Sequence, residues 1–100
     1  KKSTYLTEKK LPRHPNRVEF DNEISAEHTV IDIFAHDKVG LLYYVSQTLA
    51  DLGLYIHVAK ISTKVDQVID TFYVKDIFGQ KIVEPDKLDE LRSRLLQALE

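Results

Sequence analysis

The residues able to do chemistry in this chain are few, and their spacing argues against catalysis. The histidines are His14, His28, His36 and His57, none of them in an HExxH arrangement. There is no cysteine, so a thiolate metal site, a thiol nucleophile and a disulfide framework are all excluded. Ser25, Ser46 and Ser62 have no nucleophile-elbow context. Asp32 and Asp70 fall on neighbouring predicted strands and invite an acid/base reading, but are expected side by side on an exposed sheet face, both solvated. No GxGxxG run and no Walker A loop occurs. The chain by itself reads as non-catalytic.

One stretch stands out, "HDKVGLLYYVSQTLADLGLYIHVAKIST", from His36 to Thr63. A strand passes into a helix with almost no loop, so the helix's first unpaired amides open at the edge of the sheet. Gly40 has no Cβ and lets a ligand or another backbone come close. Two readings stand side by side on these residues. Either the amides around Val39 to Leu42 hold a small carboxylate with the help of the helix dipole, or Asp37 caps the helix and Gly40 eases packing.

The rest of the chain must position that turn. At 100 residues it is one domain with a single core. Apolar residues make up 43% and charged residues 30%, and the net charge of -2 argues against nucleic acid or a membrane surface as partner. No run is long and apolar enough to span a membrane. The chain has no methionine and begins Lys1-Lys2, so it reads as a piece of a longer one. Residues 1–16, basic and holding two prolines, read as a linker or lead-in; residues 17–100 read as the folded domain.

"RVEF" from Arg17 predicts a short strand, and "TVIDIFAH" a second whose Ile31, Ile33 and Ala35 line one face. With Val30 and Phe34 on its other face, this second strand belongs in a sheet's interior. Leu41, Leu42, Val45, Leu49 and Leu52 predict a helix from Leu41 to Leu52, stopped by Gly53. Strands follow from Tyr55 to about Lys64 and through "VIDTFYVKD". Asp86, behind Pro85, caps a last helix striped by Leu88, Leu91, Leu95 and Leu99. From Thr29 the order is βαββα, a split βαβ lacking its last strand. The Arg17 strand can fill the vacancy by a hairpin. The expected fold is α+β: a ferredoxin-like, four-stranded antiparallel sheet with both helices on one face. Phe34 and Phe72 are expected on the open face. A ferredoxin-like sheet with Phe34, Phe72 and Tyr73 on central strands also raises RNA stacking, but Asp70 among them and the acidic balance speak against it.

The His36–Thr63 stretch resembles the signature of ACT domains, small modules that sense amino acids. Together, "VEFDNE", "IHVAKIST" and "DTFYVKDIFGQKI" resemble one subgroup, the C-terminal ACT domain of the bifunctional PII uridylyltransferase/uridylyl-removing enzyme. The resemblance runs from Arg17 to Glu100. It implies a regulatory domain in a cytoplasmic nitrogen-signalling enzyme, with glutamine as effector and a neighbouring ACT domain or homodimer partner. The PII protein is then a partner only of the full-length enzyme, whose nucleotidyltransferase and phosphodiesterase chemistry, with its Mg2+, lies in other domains. No cofactor is expected in this chain. The binding role falls on His36, Asp37, Lys38, Val39, Gly40, Leu41 and Leu42 at the turn, with Tyr55 and Ile56 opening the next strand. Val39 stands where the family has proline, and Tyr55 where it has an asparagine. Two alternatives accompany this reading: an ACT-type dimerisation or docking module without ligand, and an ACT domain of another amino-acid-metabolic enzyme.

Overall fold

The computed structural model describes residues 15–36, 40–63 and 67–100. Six elements follow in order: β1 (Arg17–Asp21), β2 (Thr29–Ala35), α1 (Leu41–Asp51), β3 (Tyr55–Thr63), β4 (Val68–Lys75) and α2 (Pro85–Ala98). The strands form one antiparallel sheet in the order β1-β2-β4-β3. The Arg17 hairpin strand therefore lies beside β2, where a full βαββαβ unit would place its last strand.

Alternation decides which side is buried. Ile31, Ile33 and Ala35 of β2 pack with Val68, Phe72 and Val74 of β4, under Leu41, Val45 and Leu49 of α1 and Leu91 and Leu95 of α2. Phe72 is fully buried, which corrects its expected place on the open face. In β4 one row is Val68, Asp70, Phe72 and Val74; the other is Ile69, Thr71, Tyr73 and Lys75, and that second row is the open one. Asp70 consequently faces the core side, 2% exposed and opposite Ile33, while Asp32 sits opposite Thr71 and accepts a 2.7 Å hydrogen bond from its hydroxyl. The two aspartates point to opposite faces, so the paired, solvated carboxylates expected from sequence do not exist.

Helix ends also differ from expectation. The N-cap position of α1 is Gly40, with φ of 76°, and that of α2 is Glu84, with Pro85 at N1. Asp86 sits one step inside, in the first turn, where its charge meets the helix dipole. At the other end of α1, Gly53 takes a positive φ while its N–H donates to the Ala50 carbonyl (2.9 Å) and that of Leu54 to the Leu49 carbonyl (3.0 Å). That is a Schellman stop, and it turns the chain directly into β3.

A buried polar knot ties the β1–β2 turn to the β4–α2 connection. The Thr29 hydroxyl donates to Asn22 Oδ1 (2.6 Å) and accepts from the Ile82 N–H (2.8 Å), and Asn22 Nδ2 donates to the Ile82 carbonyl (2.8 Å). Thr29, fully buried, is satisfied by the half-buried Asn22 and by the Ile82 backbone.

Candidate functional site

The strand-to-helix turn begins at His36, half-buried just past β2. Asp37, Lys38 and Val39 lie outside the described residues, and so does the reading of Asp37 as helix cap. Gly40 takes the left-handed conformation and its carbonyl accepts the first helical bond, from Tyr44 (2.9 Å). The N–H groups of Leu41, Leu42 and Tyr43 precede any intrahelical acceptor, and Gly40 has no side chain with which to cap them. Leu41 is buried in the core, so its side chain serves packing. Leu42 is exposed.

Gly40 has a structural reason of its own. A Cβ there would meet Tyr44 Cε2 at 3.2 Å, and any L residue would carry the strain of a positive φ. A bulky residue at Gly40 therefore disturbs the helix start as well as any ligand. Tyr44, one turn on, lies beside the exposed glycine and meets Tyr43 edge-on at 5.7 Å. Sequence reasoning passed over this pair, although Gly40 and Tyr44 stand at i, i+4 spacing, the spacing of helical neighbours.

Tyr55 and Ile56 are elsewhere. The eleven residues of α1 separate them from the turn by about 16 Å along the helix axis. The register says the same: Ala35, next to the turn, is level with Val68 and Thr63, whereas Tyr55 pairs Lys75 at the far end of the sheet. Tyr55 is 65% exposed, on a strand free along one edge. One chain thus brings together His36 with Gly40–Leu42, and Tyr55 with Ile56, but does not bring these two groups to each other.

Two further features lie at the Tyr55 end. A half-open cleft of about 650 Å³ runs between the end of α1, the β4–α2 connection and α2, lined among others by Leu52, Leu54, Phe78, Ile82 and Leu91. None of the predicted site residues lines it. The second is a pair of stacked rings, His28 and His57, with centroids 4.8 Å apart. Partial desolvation, and after it the nearby charges of Lys75 and His57, hold the His28 imidazole below the usual histidine range. Glu27 is held below the carboxylate range by its hydrogen bond and ion pair with Lys75 (3.1 Å).

On the open face, the Arg17 guanidinium lies 3.9 Å from the Phe34 ring centroid and Lys60 lies 5.2 Å from that of Tyr73. Among the described residues no group of three or more acidic or histidine side chains could hold a metal ion, and no helix is long and apolar enough to cross a membrane.

Compared with known proteins, residues 17–100 match the family model described as an ACR9-like, ACT-like domain. The bifunctional uridylyltransferase/uridylyl-removing enzyme of Azospirillum brasilense is 45% identical over 94% of this chain and 11% of its own length. The enzymes of the same name from Rhodospirillum rubrum and Cereibacter sphaeroides are 46% and 42% identical over 85% and 87% of the chain, and 9% of their own lengths. The chain thus spans about a tenth of these relatives. No solved structure matches it significantly.

Proposed function

The chain belongs to the ACR9-like, ACT-like domain family, and from that premise we propose that it is the amino-acid-responsive regulatory domain of a bifunctional uridylyltransferase/uridylyl-removing enzyme. Its effector is glutamine, and its binding site forms only when two such domains pair.

The observation that carries this reading is the separation of the Gly40 turn from Tyr55–Ile56 along α1. Antiparallel pairing of two β3 edges sets the Tyr55 end of one domain beside the Thr63 end of the other. In each domain that Thr63 end is level with Ala35 and the turn. Two halves unable to meet within one chain then meet twice across a two-fold seam. The exposed length of β3, with Ile56 and Ile61 uncovered on the helix side, supplies the surface.

Within such a site the amides of Leu41 and Leu42 hold the α-carboxylate at the positive end of α1. Asp37 takes the α-ammonium, and the Tyr55 hydroxyl reaches the side-chain amide as donor or acceptor. Binding at a seam favours the paired arrangement over the separate one, and only that difference in affinity can drive a change in distant catalytic domains. Uridylyl transfer and removal, their metal and the PII protein substrate belong to those other domains.

Calorimetric titration with glutamine, beside glutamate, serine and a branched amino acid, tests the reading. Selective heat with glutamine that disappears in Tyr55→Ala supports it. No heat from this chain, and none from two such domains in tandem, overturns it in favour of a ligand-free pairing module.

A further inference from the structure

The start of β3 is held by an unusual device. The register passes from Ile56 opposite Val74 to Val58 opposite Tyr73, which makes His57 the extra residue of a bulge on an edge strand. Its ring is stacked on that of His28, which lies just before β2, two strands away. The planes are 28° apart, and Tyr73 of β4 meets His28 edge-on at 6.4 Å. The pair thus bridges over the end of β4 and fastens the edge strand to the sheet's interior.

The charges around the pair are unequal. The turn before β2 contributes Glu27; β4 contributes Lys75 and Tyr73; β3 contributes Lys60, whose ammonium lies over the Tyr73 ring. Among the described residues the carboxylate that acts on the pair is Glu27, and it is already bound to Lys75 at 3.1 Å. Two neutral imidazoles stack without penalty here. A proton on either adds a cation beside Lys75, and a proton on both sets like charges about 5 Å apart, which Glu27, shared with Lys75, offsets only in part.

We propose that the His28–His57 stack is a proton-sensitive clamp: neutral, it holds the bulged start of β3 against the sheet; protonated, it releases that segment and weakens pairing through the β3 edge. The second half rests on the paired-domain reading above. The depressed proton affinity of His28 is what the neutral, clamped state requires. Tyr55 and Ile56, directly before His57, are the first residues set loose, so the clamp regulates one half of the proposed seam.

Amide exchange protection at Ile56, His57 and Val58, corrected for intrinsic rates, reads the clamp at pH 7.5 and 5.5. Sedimentation of the same samples reads pairing. Protection in the unaltered chain is expected to fall at least fivefold on acidification, and association at least threefold. His57→Phe keeps a ring to stack but cannot take a proton, and it is expected to flatten both responses. In His57→Gln, the His28 imidazole, followed by its NMR titration, is expected to move up towards 6.5, its ordinary value. Equal pH dependence in His57→Phe and the unaltered chain, or protection unchanged between the two pH values, would overturn the clamp. A monomer at both pH values overturns the pairing reading and, with it, the clamp's effect on pairing, while the exchange data still decide the clamp itself.

Discussion

β3 and β4 are hydrogen-bonded neighbours, paired from Tyr55–Lys75 to Thr63–Val68, and both are rich in β-branched and aromatic residues. Yet β4 alternates strictly between buried and half-buried, while β3 is exposed almost throughout. The difference is position. β4 has a strand on each side and two helices above it; β3 has one neighbour and an open edge. A strand whose Ile56 and Ile61 are left in water, beside one whose Phe72 is fully covered, marks where this domain ends its own core and where the proposed pairing would bury the rest.

The largest effects of substitution are expected on the β4 side. Phe72→Ala removes a fully buried ring from the centre of the core and is expected to lower stability by about 3–5 kcal/mol in denaturant unfolding. Thr29→Val, which strips the acceptor from the Ile82 N–H and the donor from Asn22 Oδ1, should lower it by about 1–3 kcal/mol by the same measurement. Gly40→Ala imposes a left-handed backbone on an L residue and should lose about 1–2 kcal/mol, with or without effector present.

On the β3 side the outcome reverses. Ile61→Lys, at 57% exposure, should leave monomer stability within about 0.5 kcal/mol while abolishing association. The smallest effect is that of pH. The His28 proton affinity is lower in the fold than its ordinary value of 6.5. The unfolded chain then binds more protons, so stability is full above pH 6.5 and declines as pH falls through the depressed folded value. A thermal scan from pH 7.5 to 5.5 should show a lower midpoint at the acid end, and a smaller drop in His28→Phe.

What could be read from the residues alone follows the same divide. The α1 stripe, Gly53 as its stop and the Arg17 hairpin strand in place of the missing last strand were all legible, because 3.6-residue and two-residue periods and glycine stops are local signals. The facing of β4 was not. In "VIDTFYVK" the more apolar row, Val68, Phe72 and Val74, is the buried one, and Asp70 is carried into it. An aspartate placed in solvent takes Phe72, two residues on, to the open face with it, because side chains two apart in a strand share a face. The helix start at Gly40 was legible only as a close-approach glycine: its positive φ at the N-cap position ahead of Leu41 is a backbone property that no spacing announces. The His28–His57 stack joins residues 29 positions apart across an intervening strand, and no local pattern announces it.

The proposed role of β3 is that of a pairing edge whose seam takes an amino acid. Sedimentation equilibrium over a concentration series, with and without glutamine, on the unaltered chain and on Ile61→Lys, tests it most directly. The expected result is a reversible dimer tightened by glutamine, and a variant that stays monomeric with an unchanged melting midpoint. Identical masses for chain and variant at every concentration, indifferent to glutamine, would contradict it.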